Sequence, residues 1–299
     1  MNHFNNGDSA GNSSNANAGN HVSNSSNANA GNHAGNSSNA NAGNHVSNSG
    51  NANAANHIND GNNNSNRALA AAWINLKNAK PAFLTTYIVV AVMIAQTIVM
   101  FVLYAFGNTD ALGGYDLSFG NFLYLLPVLF AIVVASRNFR KFIHLGGNRE
   151  LFSKGCLIGY IILAAAVSLA NCIIHATYDA AILNTGFFEG SINLLDVFGW
   201  SAHGVVVAFL RQFAFLFFVA AFTHTLSALQ GSLAGWLANG ALIAIICVFT
   251  PIAPLRAAEA AFFNLILTTP NALLQIVACL AIGAAIYRLS KPAFSRKAI

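Results

Sequence analysis

Six long, unbroken apolar runs constrain this chain more than any other feature. They lie at about Phe83–Phe106, Phe119–Ser136, Cys156–Thr177, Gly204–Thr225, Leu233–Thr250 and Pro270–Tyr287. A helix rises about 1.5 Å per residue, so runs of this length cross a hydrocarbon core of roughly 30 Å. A transmembrane barrel needs short alternating strands, and these runs are continuous. Composition points the same way: 55% of residues are hydrophobic, 8% are charged, and mean hydropathy is +0.53 even with a long polar N-terminus included. An ordinary soluble domain carries roughly 25% charged residues, and a chain with so few cannot cover itself with polar surface. The expected fold class is all-α: a polytopic membrane protein with six transmembrane helices and a disordered N-terminal tail.

The tail is residues 1–66, rich in Asn, Ser, Gly and Ala. The unit SSNANAGNH recurs with a twelve-residue period at Ser13–His21, Ser25–His33 and Ser37–His45, then degenerates at Ser49–His57. It offers no apolar position to stack, so it cannot offset chain entropy by burial, and disorder is expected. Single imidazoles twelve residues apart on a flexible chain make at best a weak metal site. Residues 67–82 form the next segment, in which Ala68–Lys80 is Ala-rich with one Trp and basic residues around it. It reads either as a helix along the headgroups, with Trp73 at the interface, or as a plain lead-in to the first span. Residues 83–299 hold the six-helix transmembrane domain.

Charge sets the expected orientation. Arg67, Lys77 and Lys80 precede the first run; Arg137, Arg140, Lys141, Arg149 and Lys154 lie between the second and third; Arg288, Lys291, Arg296 and Lys297 follow the last. These are twelve of the 14 Lys and Arg residues, and an even number of spans puts all three regions on one side. The other side carries Asp110, Asp116, Asp179, Glu189, Asp196 and Glu259 against Arg256 alone. Basic residues resist translocation, so a cell-membrane protein with both termini in the cytoplasm is expected. The net charge of +5 does not suggest nucleic acid, because the cations sit beside apolar segments.

Enzyme signatures are missing. No GxxxxGK[ST] or HExxH occurs, so neither a nucleotide site of that kind nor a zincin is expected. The chain is read as a non-enzyme without a catalytic residue, metal or cofactor of its own. The four cysteines, Cys156, Cys172, Cys247 and Cys279, fall inside apolar runs and read as small buried hydrophobes. His175, His203 and His224 read as interface or packing histidines. No pair of carboxylates lies inside a span, which argues against a proton-coupled carrier. The intramembrane polar site is Arg211 with Gln212. A guanidinium there either pairs with Asp179, Asp196 or Glu259, snorkels outward, or lines a substrate path. Pro127 inside the second run predicts a kink. Thr269 is the expected cap of the last helix, with Pro270 at its first position. Gly155/Gly159 and Gly231/Gly235 have the spacing that permits close helix approach. Asp179–His203, the longest outer loop, carries aromatic anchors and reads as an amphipathic helix or a plain loop.

The basic stretch Arg137–Lys154, RNFRKFIHLGGNRELFSK, invites a further reading. Arg137–His144 is amphipathic, with Phe139, Phe142 and Ile143 against Arg140, Lys141 and His144, and Gly146-Gly147 breaks it. It either fixes topology and attracts anionic lipid, or it is a coupling element held against a cytoplasmic partner. Phe139-Arg140, Gly146 and Arg149, between the second and third spans, resemble the membrane subunits of bacterial type-two ABC exporters. That resemblance implies a permease subunit moving a drug, peptide or lipid-like substrate. It implies ATP hydrolysis by a separate ABC ATPase subunit docked on Arg137, Arg140, Lys141, Gly146, Arg149 and Lys154. It also implies a second permease chain, an interfacial helix before the first span, and an outer helical segment near Pro251–Pro270. The other reading is a non-transporting membrane protein, such as an immunity, scaffold or sensor component.

Overall fold

The structure is a computed structural model that describes residues 65–107, 115–185, 188, 190–230 and 232–296. The repeat tail therefore lies outside the described residues, apart from its last two positions. Helix α1 (residues 65–78) turns at Ala79 into α2 (Lys80–Ala105). Strand β1 (Tyr115–Leu117) follows. Next comes one continuous helical stretch, Phe119–His144, built from a 3-10 segment, α3 (Leu125–Val133), a π-turn at Val134–Asn138 and α4 (Phe139–His144). Helix α5 (Arg149–Ile174) continues through a π-turn at His175–Asp179 into α6 (Ala180–Thr185). Strand β2 (Gly190–Ile192) and α7 (Leu194–Val197) lead to α8 (Val205–Leu229). The chain closes with α9 (Leu233–Phe249), α10 (Ala253–Phe263) with a π-turn at Asn264–Thr268, and α11 (Ala272–Arg296).

The fold is an all-α polytopic membrane architecture. Among the described residues five helices are long and apolar enough to cross a bilayer: Lys80–Ala105, Phe119–His144, Arg149–Asn184, Val205–Leu229 and Ala272–Ala293. The sixth expected span differs. Leu233–Phe249 reaches that standard only together with Ala253–Thr268, and the chain bends by 117° between them. Pro251 and Pro254 explain the break: neither can donate an intrahelical hydrogen bond, and Pro254 sits in the first turn of α10, where no donor is needed.

Helix α8 is the hub. Its sequence, VVVAFLRQFAFLFFVAAFTHTLSAL, is apolar on every side, as a helix surrounded by neighbours must be. It packs against α3, α5 and α11. The core joins Phe130 and Val134 of the second span, Tyr160 and Leu163 of α5, Leu216 and Phe217 of α8, and Tyr287 of α11. By contrast, α2 buries only Ala82 and Thr86, α9 only Gly235, and α10 nothing.

Contacts bring all three basic regions to one end of the bundle. Asn138 Nδ2 donates to the Asn75 carbonyl (3.3 Å), and Tyr287 Oη to the Ser153 carbonyl (2.6 Å). A Cβ built on Gly155 would stand 2.8 Å from Ala71 Cβ, so α1 rests directly on the start of α5. Ala68, Ala71, Ala72 and Asn75 form the buried face of α1, while Leu69, Trp73 and Ile74 point outward. Small residues permit the approach, and the large apolar ones are left for the surroundings. At the opposite end, β1 and β2 pair in parallel, Tyr115 with Gly190 and Leu117 with Ile192.

Several local expectations change. Pro127 lies in the first turn of α3, after a 3-10 segment, so no mid-helix hydrogen bond is lost there. The cap of α11 is Asn271, whose Oδ1 accepts from Leu274 N (3.1 Å), and not Thr269. Helix α5 begins at Arg149, seven residues before the apolar run, because Asn148 Oδ1 accepts from Glu150 N (2.8 Å) and starts it early. Cys247 is exposed on α9, whereas Cys156, Cys172 and Cys279 are buried. Gly235 folds against the Leu229 carbonyl at the end of α8, across the tight α8–α9 turn. The longest outer loop becomes a helix end, a strand and the single turn α7, not one amphipathic helix.

Candidate functional site

The basic stretch folds as its pattern suggests, and its termination has a clear cause. Gly146 takes φ +79°, a left-handed conformation that a side chain disfavours. Gly146 N then donates to the Ile143 carbonyl (2.9 Å) and Gly147 N to the Phe142 carbonyl (3.0 Å), the Schellman closure of a helix end. Phe139 is buried against Phe152 (5.3 Å between ring centroids), which Phe142 also meets (5.4 Å). Helix α4 is thus clamped to α5 by aromatic packing, continuous with α3 behind it and joined to α5 by a capped turn ahead. Arg137, Arg140, Lys141, His144 and Lys154 are exposed, and Arg149 is half-buried.

These cations do not form a single patch. Lys154 pairs with Glu150 (2.9 Å) and lines a small cleft with Arg67, Asn148 and Leu151. Arg137 and Lys141 turn instead toward Lys77 and Lys80 at the α1–α2 junction. The pairing of loop cations with the two lysines sixty residues earlier was not readable from local sequence, because only the fold brings those segments together.

Arg211 and Gln212 are buried in α8, with 1% and 0% of their surface exposed. Arg211 meets none of the three carboxylates expected for it, and at that exposure it does not snorkel. Its Nε donates to Gln275 Oε1 and its Nη2 to the Thr269 carbonyl. Asp179 is engaged instead by Ser191 and Asn193, and Asp196 by His175 (2.9 Å) and Ser201. The physical reason lies in the bent pair. About 24 Å of helix from Ala253 to Thr268, turned by 117°, runs back roughly 11 Å along the direction of α9. Its last carbonyls would then end inside the apolar layer without water. Gln275 Nε2 donates to the Ile266 carbonyl (2.8 Å), Trp200 Nε1 to the Leu267 carbonyl (2.7 Å), and Arg211 to that of Thr269. Arg211 sits six residues into α8, about 9 Å along it, at a depth suited to meet that end. A cation at a helix C-terminus is favoured by the backbone dipoles as well.

Gln212 belongs to a different polar seam. Its Oε1 lies 4.0 Å from Cys172 Sγ, and its Nε2 and Ser168 Oγ meet no hydrogen-bond partner among the described residues. Ser168, Asn171 and Cys172 share one buried face of α5, and Cys172 meets α8. The seam continues into a buried network at the ladder end. There Asn193 Nδ2 donates to Ser118 Oγ (3.2 Å), Asn171 Oδ1 (3.3 Å) and Asp179 Oδ2 (2.8 Å). Tyr178 Oη donates to Asp116 Oδ2 (3.1 Å) and Thr97 Oγ1 to Asp116 Oδ1 (3.4 Å). Burial pushes the Asp116 carboxyl above its ordinary range; the bonds from Tyr178 and Thr97 pull the other way, and the Asp179 charge adds to the rise.

At the basic end a third cluster ties three helices together. Tyr160 Oη and His224 Nδ1 lie 2.6 Å apart, and Tyr287 stacks on His224 with centroids 5.1 Å apart. Both clusters are built mainly of uncharged side chains. Their sequence signal is the recurrence of Tyr160, Ser168 and Asn171 on one face of an otherwise apolar helix. Among the described residues no group of three His, Cys, Asp or Glu side chains is arranged to hold a metal. The clusters hydrogen-bond and brace. Comparison with family models, with curated protein sequences and with solved structures returned no match.

Proposed function

We propose that this chain is the membrane permease subunit of an ATP-driven exporter, moving a drug, peptide or lipid-like substrate with energy from a separate ABC ATPase subunit. The observation that carries the reading is the build of α4. Its basic face is exposed and its aromatic face is locked onto Phe152 of α5, while its N-terminal end runs into α3. A push on Arg140 and Lys141 from a docked motor therefore moves two spans together. The exposed apolar surfaces of α2 and α9 suit a second permease chain lining a shared path. The apolar face of α1, with Trp73 outward, suits an interfacial helix. In this reading the basic end faces the cytoplasm of a cell-membrane protein, both termini lie inside, and ATP is bound only by the partner.

The test is purification from native membranes in mild detergent, with ABC-type ATPase and ATP hydrolysis as readouts. An ATPase that accompanies the wild type and is lost from Arg140→Glu/Arg149→Glu supports the proposal. Abundant, folded wild-type protein with no ATPase overturns it. Deleting residues 1–66 leaves transport intact in this reading, and loss of function on that deletion favours a tail-driven scaffold. A cysteine placed near residue 146, such as Leu145→Cys, that reacts with an impermeant reagent on intact cells reverses the orientation and ends the scheme.

A further inference from the structure

Lys77, Lys80, Arg137 and Lys141 converge on one cleft of about 290 Å³ between the α1–α2 junction and the π-turn of the second span. The cleft is completed by Asn78, Pro81, Val133 and Asn138, and among the described residues no carboxylate lines it. All four cations are exposed, with Lys77 Nζ 5.7 Å over the Trp73 ring. Glu150, the acid nearest in sequence, is held by Lys154 in a separate cleft. Four like charges repel one another, and a fold that gathers them without an acid leaves the compensating charge to a ligand.

A second observation says what kind of ligand. Lys77, Asn78 and Lys80 also form the head of an apolar groove of about 770 Å³, whose remaining walls are Leu76, Phe83, Leu84 and Tyr87. Those last three residues lie one to two turns into the apolar length of α2, up to about 10 Å beyond Lys80. A cationic mouth that opens onto an apolar trench running along a membrane helix matches a phosphate headgroup with its acyl chain attached.

We propose that this cleft and groove form a binding site for an anionic phospholipid, with Lys77, Lys80, Arg137 and Lys141 around the headgroup phosphate and Phe83, Leu84 and Tyr87 along an acyl chain. Because the mouth joins α1, α2 and the second span, the bound lipid bridges the interfacial helix to the segment leading into α4. The site does not depend on the exporter reading.

The test uses the full chain in neutral detergent, titrated with phosphatidylglycerol or phosphatidylcholine and followed by native mass spectrometry. Each basic residue near a membrane surface is worth roughly fivefold in affinity for anionic lipid, so Lys80→Gln/Arg137→Gln is expected to weaken phosphatidylglycerol about 25-fold. Arg288→Gln/Lys291→Gln, exposed cations of α11 outside the cleft, are expected to leave it within twofold. Phe83→Ser/Leu84→Ser keeps the charges and is also expected to lose the lipid. Undiminished binding in Lys80→Gln/Arg137→Gln overturns the proposal. So does equal retention of phosphatidylcholine by the wild type, a measurement that needs no variant to fold. Displacement of phosphatidylglycerol by millimolar inorganic phosphate, with binding kept in Phe83→Ser/Leu84→Ser, identifies a free phosphate site and refutes the lipid.

Discussion

Replacing Arg211 tests whether a cation inside the bundle serves as the cap of a helix end. Arg211→Met removes two charge-assisted bonds, to Gln275 Oε1 and the Thr269 carbonyl, each worth about 1.5–3 kcal/mol. It also removes a buried charge whose cost at a helix centre is about 2.5–3.5 kcal/mol on an insertion scale. The midpoints, about 4.5 against about 3 kcal/mol, leave a net loss of about 1.5 kcal/mol, equivalent to roughly 13-fold easier opening of the corner between α10 and α11. Cys279 reports on that corner: it is fully buried and its Sγ lies 3.7 Å from the Ile266 carbonyl. With Cys156, Cys172 and Cys247 changed to Ala, maleimide labelling of Cys279 is expected to accelerate by that factor in Arg211→Met. Arg211→Lys keeps the charge and its cost but reaches only one acceptor at a time, so it is expected to label nearly as fast. Labelling of Arg211→Met at the wild-type rate, in protein of equal yield, refutes the capping argument. Full rescue by Lys refutes the role of the planar fork and leaves charge alone.

Asp116→Asn is expected to flatten the pH dependence of stability. Its folded carboxyl titrates above the unfolded value of 3.8, so the folded state holds a proton that the unfolded state releases. Stability from this group is complete below that unfolded value and is lost as pH rises through the folded one. Thermal melts should therefore show the wild type gaining on Asp116→Asn as pH falls from 7 toward 4, and a constant gap would contradict this. Gly155→Leu is expected to lift α1 off α5, since even a Cβ would stand 2.8 Å from Ala71 Cβ and 3.0 Å from Ala72 N. Trp73 fluorescence quenching and proteolysis near residue 79 should both increase, and unchanged values in both would show that the contact is not close.

Hydropathy made the spans legible because each must supply about twenty apolar residues regardless of its neighbours. Their ends were not legible, because polar residues continue several helices beyond the apolar run: Arg149 to Lys154 read as loop but form the first turns of α5. Asn148 was the available signal, a capping residue directly before that turn. The prolines at 251 and 254 marked an interruption, yet nothing local says that the chain bends by 117° there. Arg211 stands out as a charge in an apolar run, but charge alone points to a carboxylate partner. The partner is a backbone carbonyl 58 residues later, and every residue has one. Polar Asn193 shows the same limit: it sits in a loop by sequence, and by structure it is buried and bonded to Ser118, Asn171 and Asp179.

The short ladder between Tyr115–Leu117 and Gly190–Ile192 has a bearing on how such a chain is assembled. Its two halves are separated by two complete crossings, so it cannot zip until the second hairpin has been delivered to the far side. Until then Ser118, Asn171 and Asp179 wait without the amide of Asn193 that links them. The far corner is therefore a late-closing clasp, and a chain arrested before residue 190 holds its spans without their lock.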